Sequence, residues 1–161
     1  SRYVFGRLDQ SQVSLPIRFN LLISPTSSLQ VYAQPLVAVG RYEAFKEFAR
    51  RATFEFARYG VDRGTIAYDP ADDSYIVGPD PAAGAPVFSF ENPSFNRRTL
   101  RLQAVYRWEF RPGSRLYLVW TQQRRAYADT AYLDLGRDVA GLFDTQPNNV
   151  FAVKMTWWFS R

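Results

Sequence analysis

The sequence predicts an all-β fold: an antiparallel up-and-down meander of amphipathic strands that forms an outer-membrane β-barrel, or the C-terminal part of a larger one, with long loops on one side. Two observations support this prediction. Apolar and polar residues alternate in several long segments, and alternate residues of a strand point to opposite faces. The alternating runs also have about the length of a strand that crosses a bilayer, roughly 9–11 residues.

Six segments carry the strand pattern, and short turns at residues 25–28 and 111–114 join two pairs of them. Pro35 lies inside the third segment and cannot donate a backbone hydrogen bond, so it predicts a bulge or a sheet edge. The predicted strands are residues 2–8 (the tail of a strand), 11–24, 29–42, 97–111, 115–123 and 150–159.

Two long connections, residues 43–96 and 124–148, are predicted to be loops on the extracellular side, because outer-membrane barrels have their short turns on the periplasmic side. Phe45 and Phe48 stand at helical spacing near the start of the first connection. The local predictions are a short helix over residues 43–50, a hairpin of residues 65–69 and 74–77, a plain loop over residues 79–86 and one or two helical turns over residues 136–143.

The whole chain, residues 1–161, is predicted to form a single domain. Five convincing strands and a truncated sixth are too few to close, since single-chain bacterial barrels begin at about eight strands. We therefore expect either further barrel strands within residues 43–96 or, as the preferred interpretation, the C-terminal part of a larger barrel.

The amino-acid composition excludes several kinds of catalytic and metal-binding site. The chain contains neither histidine nor cysteine, which excludes Ser-His-Asp, Cys-His, histidine-metal and thiolate-metal sites. No catalytic residue, metal ligand or cofactor is predicted. The net charge of +5 is spread along the chain rather than gathered into the basic, aromatic-rich patch of a nucleic-acid binder. Four aspartates of the first long connection match no calcium-loop spacing: Asp69, Asp72, Asp73 and Asp80.

A set of polar residues is predicted to line the lumen, because the inward face of a membrane barrel is polar. This mildly basic wall has two interpretations: a structural wet wall with an ion-pair ladder around Arg101, Arg107 and Glu109, or a path selective for anionic solutes. The predicted lumen residues are Arg18, Asn20, Gln30, Gln34, Arg101, Gln103, Arg107, Glu109, Thr121, Gln123, Lys154 and Thr156.

Aromatic residues make up 17% of the chain and cluster near strand ends. Membrane barrels carry aromatic girdles at both interfaces, whereas a sandwich core would not require clustering at strand ends. The predicted membrane-interface aromatics are Trp108, Phe110, Trp120, Trp157 and Phe159.

Several segments resemble a bacterial family of uncharacterised outer-membrane proteins. The segments are RYVFGRLDQ (residues 2–10), SLQVYAQPLV (28–37), RWEFRPGS (107–114), LYLVW (116–120) and NVFAVK (149–154). In that family an N-terminal carbohydrate-binding family 9-like module precedes a large C-terminal barrel domain of unknown function. The resemblance covers nearly the whole chain and concerns the barrel domain. It implies a membrane barrel and supplies no catalytic residues.

The function expected from these observations is a non-enzymatic outer-membrane β-barrel of a Gram-negative bacterium, a porin-like pore or a membrane anchor. Its expected partners are the lipid bilayer and other protein chains that complete or cover the sheet edges, but not nucleic acid. Two alternatives remain open. One is a structural or interaction subunit that presents an amphipathic sheet to a larger membrane assembly. The other is a soluble, lipocalin-like binding barrel.

Overall fold

Antiparallel β-strands form most of the structure, which confirms the all-β class that the alternation predicts. The computed structural model describes residues 2–50, 52–79 and 86–159. The one helix of this described part is α1 (Leu135–Phe143). The strands are β1 (Phe5–Ser14), β2 (Ile17–Ser24), β3 (Ser27–Phe48), β4 (Phe56–Arg58), β5 (Thr65–Asp69), β6 (Ser74–Gly78), β7 (Phe88–Glu91), β8 (Phe95–Arg111), β9 (Ser114–Ala128) and β10 (Asn148–Thr156).

The strands form two sheets. Seven of them make a sheet in the order β1-β3-β8-β9-β10, in which β2 and β4 also pair with β3. The other three make the sheet β5-β6-β7. Within the described residues the larger sheet does not close into a barrel, so β10 keeps one edge without a neighbouring strand.

The chain divides into two compact units. The first unit contains Ser1–Gln10 and Gly40–Phe95, and the second contains Ser11–Val39 and Asn96–Arg161. The first unit has a hydrophobic core of its own, formed largely by the first long connection. Phe45, Tyr59 and Val77 are buried together there, and further apolar side chains of the same unit pack around them.

The predicted helix over residues 43–50 is wrong. β3 continues to Phe48 and pairs with β4, with Phe48 opposite Phe56 and their rings stacked 5.0 Å apart. Ala44 has a φ of 52°, which a right-handed helix cannot contain. Phe45 packs in the core with Tyr59 and Val77, whereas Phe48 stacks on Phe56. Tertiary packing therefore overrides the helical spacing of the two phenylalanines.

Other local predictions in the long connections fare better. β5 and β6 pair from Thr65 opposite Gly78 to Asp69 opposite Ser74, as the hairpin prediction requires. β7 adds a third strand that the sequence did not indicate. The helical turns predicted over residues 136–143 are confirmed by α1. Of the predicted plain loop, residues 80–85 lie outside the described residues.

The first predicted strands differ in their bounds. β1 joins the predicted strand tail to residues up to Ser14, and β2 starts only at Ile17. The break falls at Pro16, which has no N–H to donate to a ladder. Leu15 N still donates to the carbonyl oxygen of Pro35 at 3.1 Å, so the predicted irregularity at Pro35 lies opposite this break.

The buried carboxylate of Glu47 forms ion pairs with two arginines of the first unit. Its Oε1 lies 2.9 Å from Nη1 of Arg63, and its Oε2 lies 3.4 Å from Nε of Arg2. Burial by itself raises the pKa of Glu47, but the hydrogen bond from Arg63 and the charges of both arginines outweigh it and hold the pKa below its ordinary value. Glu47 is therefore charged and fully compensated at neutral pH.

Candidate functional site

The candidate site is the pair of opposite faces of the sheet in the second unit, and strand register defines them. Tyr106 of β8 stands opposite Leu118 of β9, which stands opposite Val153 of β10. Since side chains alternate, the odd residues of β8 share the other face. We call the first surface the apolar face: Ile17, Phe19, Leu21 and Ile23 of β2, Leu29 and Val31 of β3, Ala104, Tyr106 and Trp108 of β8, Leu116, Leu118 and Trp120 of β9, and Phe151, Val153 and Met155 of β10.

The apolar face is open to its surroundings. Phe151 is 75% exposed, Val153 70% and Phe19 52%. Leu29 of β3 lines one apolar groove of about 350 Å³ together with side chains of β8, β9 and β10, which shows that the face is continuous across four strands. Soluble monomers rarely expose contiguous apolar patches larger than a few hundred Å².

Aromatic rings border the apolar face at two levels. At the short-turn end four of the five predicted interface aromatics follow one another: the ring centroids of Trp108 and Phe110 are 5.9 Å apart, those of Phe110 and Trp157 5.3 Å, and those of Trp157 and Phe159 6.1 Å. The fifth, Trp120, lies toward the other end and stacks on Phe151 at 6.2 Å. The structure thus separates the predicted aromatics into two levels.

The predicted lumen residues lie on the polar face, and four of them come together. Arg18, Asn20, Gln30 and Gln103 line one groove of about 370 Å³, to which Tyr32 contributes as well. Gln34 lies beside it and is fixed by hydrogen bonds to Tyr32 Oη at 2.9 Å and Ser14 Oγ at 3.1 Å. The remaining predicted lumen residues lie along the same face on β8, β9 and β10: Arg101, Arg107, Glu109, Thr121, Gln123, Lys154 and Thr156.

The ion pair on the polar face differs from the predicted ladder. Glu109 Oε2 lies 3.1 Å from Nε of Arg115, its cross-strand partner on β9, and Glu109 Oε1 accepts a hydrogen bond from Gly113 N at 3.2 Å. These contacts hold Glu109 to the short turn. The groove is lined by the guanidinium of Arg18 and by the amide side chains of Asn20, Gln30 and Gln103. These groups can form hydrogen bonds with a polar or anionic solute.

A buried ion network was missed by the sequence analysis. Asp138 of α1 is fully buried, and its Oδ1 lies 2.9 Å from Nη2 of Arg98 on β8 and 2.8 Å from Nη2 of Arg137. Asn96 Nδ2 donates to the same oxygen at 3.3 Å, and Asp134 N donates to Oδ2 at 3.0 Å. The available signal was Arg98 itself, a charge at a position of β8 where alternation demands an apolar side chain.

The charge state of Asp138 follows from these contacts. Burial alone raises the pKa of Asp138, but the donated hydrogen bonds from Asp134, Arg137 and Asn96 and the charge of Arg98 hold the pKa below its ordinary value of 3.8. Asp138 is therefore ionised at neutral pH. The network fixes α1 to the apolar-face side of β8.

The chain matches one protein family, described as a domain of unknown function (DUF5916), over residues 2–160. The chain belongs to this family. No curated protein and no solved structure matches this DUF5916 chain. In the part of the DUF5916 chain that the structure describes, no helix is long and apolar enough to cross a membrane.

The described acidic residues of this DUF5916 chain do not gather into a metal site: among residues 2–50, 52–79 and 86–159, no three acidic side chains come together as metal ligands would. Asp69 Oδ1 accepts a hydrogen bond from Ala71 N at 2.9 Å, and Asp73 Oδ1 accepts one from Asn92 Nδ2 at 2.9 Å. These aspartates stabilise the β5–β6 turn and the start of the next connection. Asp80 lies outside the described residues.

Proposed function

We propose that the second unit is an outer-membrane β-sheet domain without enzymatic activity, which forms part of a pore or a membrane anchor in a Gram-negative bacterium. One observation carries the proposal: a continuous apolar face, exposed across four strands and bordered by aromatic rings, lies opposite a polar face with a cationic groove. Lipid-facing and lumen-facing surfaces of membrane barrels differ in this way.

The height of the apolar band supports a bilayer as the partner. On β10 a polar level begins at Asn149, which accepts hydrogen bonds from Trp120 and Gln122. Trp157, eight residues later, belongs to the aromatic level at the short turns. Eight residues span about 27 Å along a strand, or about 21 Å along the bilayer normal at a tilt of ~40°. This height is close to the roughly 25 Å apolar band of outer-membrane barrels.

The open edges support a larger assembly. All nine residues of β10 are exposed, and in the described part of the chain β10 pairs with β9 alone. A bilayer core offers no water to unpaired backbone groups, so an edge inside it needs a neighbouring strand. This observation favours completion of the sheet by further strands, which also makes an interaction subunit of a larger membrane assembly the second candidate. The lipocalin-like alternative requires apolar side chains around an enclosed ligand, and here they lie open.

The experiment compares one added charge on each face. Val153 is 70% exposed, so Val153→Arg costs little in water, whereas an arginine on the lipid face of a barrel costs about 2–4 kcal/mol at the bilayer midplane. We expect Val153→Arg to abolish most insertion into lipid vesicles, measured by flotation and protease protection. The matched variant Gln103→Arg adds the same charge beside the polar groove and should insert normally. Equal insertion of both variants would contradict the proposal.

A further inference from the structure

Helix α1 packs against the sheet through one narrow side. Asp138 and Leu142, one helical turn apart, are both buried, and Leu142 forms a small core with Leu100 of β8 and Ala126 of β9. Leu100 lies on the same side of β8 as the apolar face, because it differs from Ala104 by an even number of residues. The helix therefore covers the long-loop end of that face.

A second side of α1 is apolar but open. Leu135, Val139 and Phe143 are 48%, 39% and 61% exposed. They stand four residues apart, so they form one stripe beside the buried side of the helix. The next exposed position, Ala140, lies about 100° around the helix from Val139. Phe143 has the Arg124 guanidinium over its ring, 5.5 Å from the ring centroid, and all three side chains of the stripe nevertheless remain exposed.

The contacts of α1 show which way this stripe faces. Asp138 and the backbone around Gly141 lie against Arg98, which is opposite Ala126 in the ladder. Phe143 lies instead beside Arg124, whose Nη1 donates to the Phe143 carbonyl oxygen at 2.8 Å. Arg124 is two residues, about 7 Å, closer to the apolar band than Ala126. The side of α1 that carries Asp138 and Gly141 thus lies farther from the band, and the end of the apolar stripe at Phe143 lies nearer to it.

A chain of polar groups lies between α1 and the band. Arg124 Nε donates to Gln122 Oε1 at 3.1 Å, and Gln122 Nε2 donates to Asn149 Oδ1 at 3.0 Å. Trp120 Nε1 donates to the same Asn149 oxygen at 3.0 Å, and its ring stacks on Phe151. Cationic and amide groups above a tryptophan are typical of the headgroup level of a membrane.

We propose that α1 is an interfacial helix whose stripe of Leu135, Val139 and Phe143 lies in the headgroup–acyl boundary of the leaflet at the long-loop end. Its ligand is the lipid surface itself. The inference rests on the proposed function, because it needs the apolar face to lie in the same bilayer. Interfacial helices bury an apolar side about 5–10 Å into this boundary and keep a polar side in water.

The test uses spin labels, which the absence of cysteine makes simple. The variants Val139→Cys, Ala140→Cys and Val153→Cys, each in the full 161-residue chain, are labelled with a nitroxide and refolded into dioleoylphosphatidylcholine vesicles. Power saturation then measures the accessibility of each label to oxygen, which concentrates in lipid, and to a water-soluble nickel complex. Val139 and Ala140 are neighbours and both exposed, so either cysteine should leave the fold intact.

The expected result is an oxygen-to-nickel accessibility ratio severalfold higher at position 139 than at position 140, with position 153 high as well. If position 153 is in lipid and positions 139 and 140 are equally in water, α1 is not interfacial, while the proposed function stands. If position 153 is itself in water, the proposed function fails and the inference fails with it.

Discussion

Replacement of Asp138 by asparagine tests whether the buried ion network holds α1 on the sheet. The carboxylate is fully buried and compensates Arg98, whose side chain is only 8% exposed. Asparagine keeps the volume but removes the charge, and it puts an amide donor where the carboxylate accepts hydrogen bonds. The buried guanidinium of Arg98 would then have no counter-charge.

The size of the effect follows from the geometry. Removing one partner of a buried ion pair costs about 3–5 kcal/mol. Arg137, the other cation on Asp138, is one-third exposed and can turn to water, so we expect the lower end of this range. A loss of about 3 kcal/mol raises the opening equilibrium of α1 roughly 150-fold. The loss is local, because the network joins α1 to β8 and not the strands to each other.

Hydrogen exchange of the amides of α1 measures this opening directly. Asp138→Asn should speed exchange in Leu135–Phe143 while leaving β8 and β9 unchanged. Asp144→Asn is the control, since Asp144 is exposed at the C-terminal end of the same helix and its neutralisation should change stability by less than about 1 kcal/mol. The double variant Arg98→Met with Asp138→Leu removes both charges and should recover much of the protection. Equal, small effects of Asp138→Asn and Asp144→Asn would refute the reasoning.

The structure supports three further predictions. Because the pKa of Asp138 is lower in the folded state, its contribution to stability is present above the ordinary value of 3.8 and is lost as pH falls through and below it. The protection factors of the α1 amides, which correct for the pH dependence of intrinsic amide exchange, should therefore fall below about pH 4; unchanged protection factors down to pH 2 would contradict this. Gly113→Ala should lower the free energy of unfolding by about 1–2 kcal/mol in urea titrations, because Gly113 has a φ of +78° and an added Cβ would lie 2.9 Å from Cβ of Trp158. Gly136→Ala in α1 meets its nearest neighbour at 3.5 Å and should be neutral or stabilising.

Alternation of side chains was enough to predict β8, β9 and β10. β8, β9 and β10 match their predicted positions to within a few residues except at the end of β9, which runs to Ala128. In these strands each side chain lies on one of the two faces of the sheet, so the alternation along one strand is enough to assign each residue to a face. The same periodicity also assigned the groove residues Arg18 and Gln103 to one face.

Local pattern was not enough where distant segments decide the structure. Phe45 and Phe48 look helical in isolation, but the core around Tyr59 and the pairing with β4 select a strand. Asp138 could not be identified as a partner of Arg98, since 40 residues separate them and only the fold brings them together. Short strands such as β7 contain too few residues for an alternation to be recognisable.

In residues 2–50, 52–79 and 86–159 one edge of β10 has no neighbouring strand, and this would affect the order of events during assembly. If the sheet lies in a bilayer, the outward N–H and C=O groups of nine residues would each cost several kcal/mol in hydrocarbon without a partner. The total would exceed what the apolar side chains of one strand, at about 1.5–3 kcal/mol each, can supply. The strand that pairs with β10 must then already be hydrogen-bonded to it when β10 leaves water, and in vesicles refolded from this chain alone a second copy of the chain is the source of that strand. Under that condition pairing precedes insertion, and the timing of pairing as well as the sequence would decide whether the sheet enters a bilayer.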